Sequence, residues 1–176
     1  MTWIDINSKW REGKAVTDCP YVIWEELLMP EMLDDLIDYC SNLKLEQAGM
    51  FNDAKGADLL SIRNTKVGWI MSDDMKAISN WIWSSISNSN FWGFDIRGFG
   101  EAWQYAEYGP GAKYGWHVDV GPDNNHRKLS LTIQLSDEND YKGGLFHLEG
   151  QPPFDESKFL KKGATIMFPS HNRHKV

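Results

Sequence analysis

Apolar positions recur at two different periods along this chain, and the change between them divides it. Met32, Leu33, Leu36, Ile37, Cys40 and Leu43 fall at helical spacing behind Pro30, a residue suited to a first helical turn, and predict a helix over 30–45. Its acidic residues Glu31, Asp34 and Asp35 sit in the first turns, where the helix dipole favours negative charge. A short strand over 19–24 precedes this helix, and a polar loop over 48–58 follows it. Residues 62–70 read as extended. Ser72 or Asp73 is then placed to cap a second helix reaching about Ser87, with Met75, Ile78, Ile82 and Ile86 along one side. From about residue 91 the helical period gives way to short runs broken by glycine. They predict strands over 94–99, 102–108, 114–119, 129–135, 145–148 and 165–168, with turns at 109–111, 121–125, 143–144 and 161–163. The clearest is 129–135, where apolar and polar residues alternate strictly. One face packs; Ser130, Thr132 and Gln134 face either solvent or the polar lumen of a small barrel. The pattern predicts one α+β domain over 1–176, in which a helical and mixed part (1–100) supports a jelly-roll core (101–176).

Composition narrows the partners. A chain of 176 residues, 41% hydrophobic and 24% charged, has an ordinary globular balance and enough length to bury a core. The net charge of −7 argues against nucleic acid or an anionic membrane as the main partner. No apolar run approaches the ~20 residues of a membrane-spanning helix. The N-terminal residues are acidic and lack a signal peptide's basic-then-apolar order, and Cys19 and Cys40 form no CxxC, so the expectation is a cytoplasmic protein with two reduced thiols. Nine tryptophans are unusual; most are expected in the core, position alone does not separate packing from cleft lining, and Trp81 and Trp83 read as packing.

Candidate chemistry begins at His117 and Asp119. Residues two apart on a strand point the same way, so an imidazole and a carboxylate share a face there. They are two thirds of a 2-His-1-carboxylate facial triad, the ligand set of non-haem Fe(II). The pair alone is short enough to arise by chance. A second imidazole has to come from a distant strand, and the segment 163–176 offers both His171 and His174. His126, in an Asn-rich turn, reads as solvated, and His147 as a satisfied core or rim histidine. Residues 109–111 lack a following Gly-Lys-Ser/Thr and read as a turn rather than a phosphate cradle. Lys161 and Lys162 read as an exposed hairpin tip. No Gly-x-Ser-x-Gly and no helical His-Glu-x-x-His occurs, which removes the simplest hydrolase routes.

Several blocks occur in order: Gln104-Tyr105; Tyr108-Gly-Pro-Gly-Ala-Lys-Tyr-Gly-Trp-His-Val-Asp119; Arg127-Lys-Leu-Ser-Leu-Thr-Ile-Gln-Leu-Ser136; Tyr141-Lys-Gly-Gly144; and Phe168-Pro-Ser170 followed by His174-Lys-Val176. Together, over about 101–176, they resemble the 2-oxoglutarate/Fe(II)-dependent oxygenases of the prolyl 4-hydroxylase type. The resemblance implies a double-stranded β-helix, the cupin-like form of the jelly roll. It implies His117, Asp119 and His174 as iron ligands, the spacing behind Phe-Pro-Ser selecting His174 over His171. Tyr108 and Gln134 would meet the co-substrate, and Tyr114, Trp116 and Arg63 would stand on the substrate side. The implied activity is hydroxylation of an aliphatic C–H, first of all in a prolyl residue of a protein or peptide, a small-molecule substrate being the other option. It requires Fe(II), 2-oxoglutarate and O2, with ascorbate as a reductant, and converts 2-oxoglutarate to succinate and CO2.

One feature departs from that pattern. The family holds the distal carboxylate of 2-oxoglutarate with a basic residue about ten positions beyond the second iron histidine, whereas this sequence runs to Val176. The expectation is that the natural chain continues; otherwise another base serves, Arg63 being a better candidate than Lys128, or co-substrate binding is impaired. Two other classes of function stay open. A zinc hydrolase could use the same ligands, with Glu107 or Glu149 tried as general base, and a non-catalytic jelly-roll module could keep them by descent.

Overall fold

The computed structural model describes residues 20–48, 63–121, 125–149 and 157–176. Helix α1 (Pro30–Ser41) buries Leu33, Leu36 and Cys40, as its spacing predicts. It stops short of residue 45 because Asn42 closes it: the Asn42 amide donates to Tyr39 O (3.2 Å) and its side-chain Nδ2 donates to Asp38 O (2.8 Å). Helix α2 (Lys76–Asn88) buries Ile78, Ile82 and Ile86. Neither Ser72 nor Asp73 caps it. The helix starts after Met75 with no side-chain cap, and Ser72 instead lends its carbonyl to the Ser79 hydroxyl at 2.6 Å. Asp74 accepts the Tyr39 hydroxyl (2.9 Å), which ties α1 to the turn leading into α2. No helix among the described residues is long and apolar enough to cross a membrane.

The strands form antiparallel sheets. One orders β1 (Val22–Trp24), β7 (Thr165–Pro169) and β5 (Leu129–Ile133); a second orders β2 (Glu46–Gln47), β3 (Lys66–Ile70) and β4 (Trp103–Glu107); β6 (His147–Leu148) pairs β8 (His174–Lys175). Strand β7 is buried along its whole length and paired on both sides. Met167 joins the core shared with both helices, while its neighbours Ile166 and Phe168 join Phe146, Phe159 and Ala164. Alternation along one strand therefore serves two apolar clusters.

Some expectations change. Residues 94–99 form no strand: the Asn90 side chain brackets Phe94 by accepting its amide and donating to its carbonyl, and Gly93 turns the chain at φ 68°. Phe99 then packs edge-on against Trp83 and Trp103. Strand 129–135 ends at Ile133, and 145–148 narrows to β6. A short helix α3 (Ser157–Leu160), which no periodicity marked, precedes β7. Lys161 and Lys162 consequently form a helix-to-strand turn rather than a hairpin tip, and Lys162 pairs with Asp34 on α1 (2.9 Å). Cys19 and most of the loop predicted over 48–58 lie outside the described residues.

Candidate metal centre

The segment 113–117 lies between two partners. On one side Asn64 N donates to Lys113 O and Arg63 bridges Tyr114; on the other, Tyr114 pairs with Val176 and His117 with His174 by reciprocal amide–carbonyl bonds of 2.9–3.0 Å. Three residues thus separate the paired positions on one strand and two on the other, which is a β-bulge at Gly115-Trp116 opposite Lys175. In a regular strand residues three apart face opposite ways. The bulge puts Tyr114 on the same side as His117, and the two rings stack at 3.5 Å with 12° between their planes.

His117, Asp119 and His174 converge so that one ligand atom from each lies within 4.8 Å of the others, and among the described residues no other group of His, Cys, Asp and Glu does this. Each imidazole is oriented from behind. His117 Nδ1 sits 2.8 Å from Gly115 O, and His174 Nδ1 sits 3.0 Å from Asn172 O. A carbonyl can only accept, so Nδ1 carries a proton, and in the neutral ring Nε2 keeps its lone pair. Both Nε2 atoms face Asp119, one 3.6 Å from Oδ1 and the other 3.6 Å from Oδ2. Two imidazole nitrogens and a carboxylate meeting at one point suit a divalent cation.

Burial supports the same state. His174 is 5% exposed and packed by Phe146 and Phe168, with ring centroids 5.6 and 4.8 Å away. Desolvation pushes the His117 pKa down to about 4, helped by the neighbouring His174 and by Arg63 against the pull of Gly115 O and Asp119. The His117 ring is thus disposed to stay neutral.

Asp119 is held from several directions. Its amide donates to Ser170 O (3.0 Å), its carbonyl accepts Arg127 Nη1 (3.0 Å), and its Oδ2 accepts the Ser130 hydroxyl at 2.6 Å. Ser130 and the fully buried Ser170 share a further bond of 2.9 Å. Arg127 also grips Glu101. The polar face predicted on β5 therefore turns inward at Ser130. The strict alternation marks Ser130; Arg127 and Ser170 carry no periodic signal beyond lying in the matched blocks.

The other predicted residues separate. Arg63 is buried, donates Nε to Thr65 Oγ1 (3.1 Å) and Nη2 to Gln104 Oε1, and lies 4.5 Å over the Tyr114 ring. Its charge reaches Tyr108 and Tyr114, where it opposes the rise in phenol pKa that burial causes. Tyr108 is 36% exposed as a residue, but its hydroxyl end is the desolvated part. Arg63, Tyr108 and Tyr114 thus gather beside His117. Gln134 does not join them: it lies past the end of β5 remote from Ser130, and its amide donates to the Tyr141 hydroxyl at 2.6 Å. Trp116 belongs to the outer face, 40% exposed, with Lys175 Nζ 5.0 Å and the Arg173 guanidinium 5.7 Å from its ring centre. The bulge and the alternation of β8 about His174 put those cations outside. His171 is exposed and stands apart from the cluster.

Comparison with known proteins agrees with this geometry. Residues 103–176 match the family model of the 2OG-Fe(II) oxygenase superfamily. Over 73 residues, 41% of this chain and 33% of the relative, the sequence is 37% identical to a PKHD-type hydroxylase from Picosynechococcus sp.. The chain spans about a third of the length of the curated relatives it matches. A prolyl-4-hydroxylase from Pseudomonas putida superposes with a TM-score of 0.65 at 17% identity, over 92% of this chain and 87% of that one. A prolyl hydroxylase from Trichoplax adhaerens, solved with a hypoxia inducible factor peptide fragment, gives 0.65 at 20% identity, over 99% and 87%. The stretch matched by that family model, residues 103–176, is the one that brings His117, Asp119 and His174 together.

Proposed function

We propose that this protein is an Fe(II)/2-oxoglutarate-dependent dioxygenase that hydroxylates a prolyl residue of a protein or peptide. The observation that carries the reading is the pair of imidazoles with Nδ1 fixed on carbonyls and Nε2 turned toward one carboxylate. The names of the relatives and the peptide bound in the Trichoplax structure support the substrate class. On the same reading the small antiparallel sheets are the two walls of a double-stranded β-helix.

When bound at His117, Asp119 and His174, Fe(II) would supply open positions for 2-oxoglutarate and O2 and the oxidising power for C–H hydroxylation, with succinate and CO2 as co-products. The protein's own part is positional. His117 offers a neutral nitrogen without first shedding a proton, and His174 presents its Nε2 beside it. Phe146 and Phe168 exclude water behind His174. Tyr114 keeps the His117 ring in plane by stacking, and Arg63 with Tyr108 places a cation and a phenol where carboxylate or carbonyl oxygens of co-substrate or substrate would need partners.

A zinc hydrolase finds no general base in either acidic candidate. Glu149 is bonded to Arg173 at 2.6 Å, and Glu107 is exposed at the end of β4. The test is turnover: protein, Fe(II), ascorbate, 2-oxoglutarate and proline-containing peptides, with succinate and peptide mass followed together. Succinate formed in step with the gain of one oxygen atom on a peptide is the expected result. Absence of succinate with iron bound would contradict it and favour a binding module.

A further inference from the structure

We propose that Ser130 is the positioning residue that sets the Asp119 carboxylate for metal binding, an inference that rests on the metal-centre reading above. The backbone of Asp119 is already fixed on both sides, its amide by Ser170 O and its carbonyl by Arg127. What remains free is rotation about the side-chain bonds, because the carboxylate is 27% exposed and water can reach it. Ser130 removes that freedom with a 2.6 Å bond to Oδ2.

The bond has a direction. A carboxylate accepts, so the Ser130 hydroxyl donates to Asp119 and has only lone pairs left for Ser170, 2.9 Å away. Ser170 must then donate to Ser130, giving a relay from Ser170 through Ser130 to Asp119. Such a chain polarises its members and strengthens the terminal bond. Ser170 is fully buried, and its amide donates to Lys128 O, so the far end of the relay cannot swing away. The relay holds Oδ2 from inside the protein, and with it the orientation in which Oδ1 stands 3.6 Å from His117 Nε2.

The experiment is anaerobic titration of the metal-free chain with Co(II), reading both the dissociation constant and the visible absorption that reports ligand geometry. Loss of outer partners of metal ligands commonly costs 10–100-fold in affinity, so Ser130→Ala is expected to weaken Co(II) binding roughly 10-fold or more and to alter the spectrum. Ser130→Thr, which keeps the hydroxyl, is expected to restore affinity and spectrum. Wild-type affinity with an unchanged spectrum in Ser130→Ala overturns the inference and leaves the metal centre standing. A wild-type chain that takes up no Co(II) overturns both. Should Ser130→Ala fail to fold by circular dichroism, Ser170→Ala decides: weakened binding supports the relay, and wild-type binding overturns it.

Discussion

At the scale of single residues, His117 shows how the fold selects a protonation state. A histidine in the unfolded chain titrates near 6.5, while burial and its neighbours hold folded His117 down to about 4. Between those values only the unfolded chain takes the proton, so the stability of the metal-free protein falls as pH drops from about 6.5 toward 4. Denaturant unfolding across this window should show a steeper loss for the wild type than for His117→Gln; parallel losses would contradict the assigned state. The cluster of His117, Asp119 and His174 was legible in the sequence through its spacing within the matched blocks. Their supports were not. Ser130 bonds to a residue 11 positions away and Ser170 to one 40 away, and no periodicity encodes such pairs.

At the scale of elements, both helices and four of the six predicted back-half strands occur, since amphipathic spacing reports burial directly, while 114–119 keeps only isolated bridges at Tyr114 and His117. The failures have local causes. Asn42 and Asn90 redirect the chain with their own side chains, which outweighs the apolar character of Leu43 and of 94–99. The bulge at 115–116 breaks simple alternation, which is why Tyr114 joins His117 and Trp116 lies outside. Gly163, between α3 and β7, gives a direct test. It sits at φ 89°, and a Cβ there would meet Leu33 Cδ2 at 3.1 Å. Gly163→Ala should lower unfolding free energy by about 1–3 kcal/mol, from the positive φ and the crowding against α1. An unchanged denaturation midpoint would show that the turn relaxes without cost.

For the whole molecule, β7 is the member that joins the parts. It pairs with β1 and β5, faces the helical core through Met167, and supports the His117–Asp119–His174 cluster through Phe168 and Ser170. The strand itself was predictable from its apolar run. Its partner 145 positions away, Val22 opposite Met167, was not, because long-range register depends on the folded sheet. Ile166 is fully buried, so Ile166→Ala should cost about 2–5 kcal/mol in denaturant unfolding. A loss below about 1 kcal/mol would mean that the wall collapses onto the cavity, contrary to the packing described.

The most direct test of the central claim is anaerobic titration of the metal-free protein with Fe(II) and then 2-oxoglutarate, followed by visible absorption. Chelation of 2-oxoglutarate on a facial-triad iron should produce a weak charge-transfer band. The account predicts that band in the wild type and in His171→Ala, and its loss in His117→Ala and His174→Ala. A band that survives His174→Ala but disappears in His171→Ala would contradict it, as would Fe(II) binding with no band at all in the wild type.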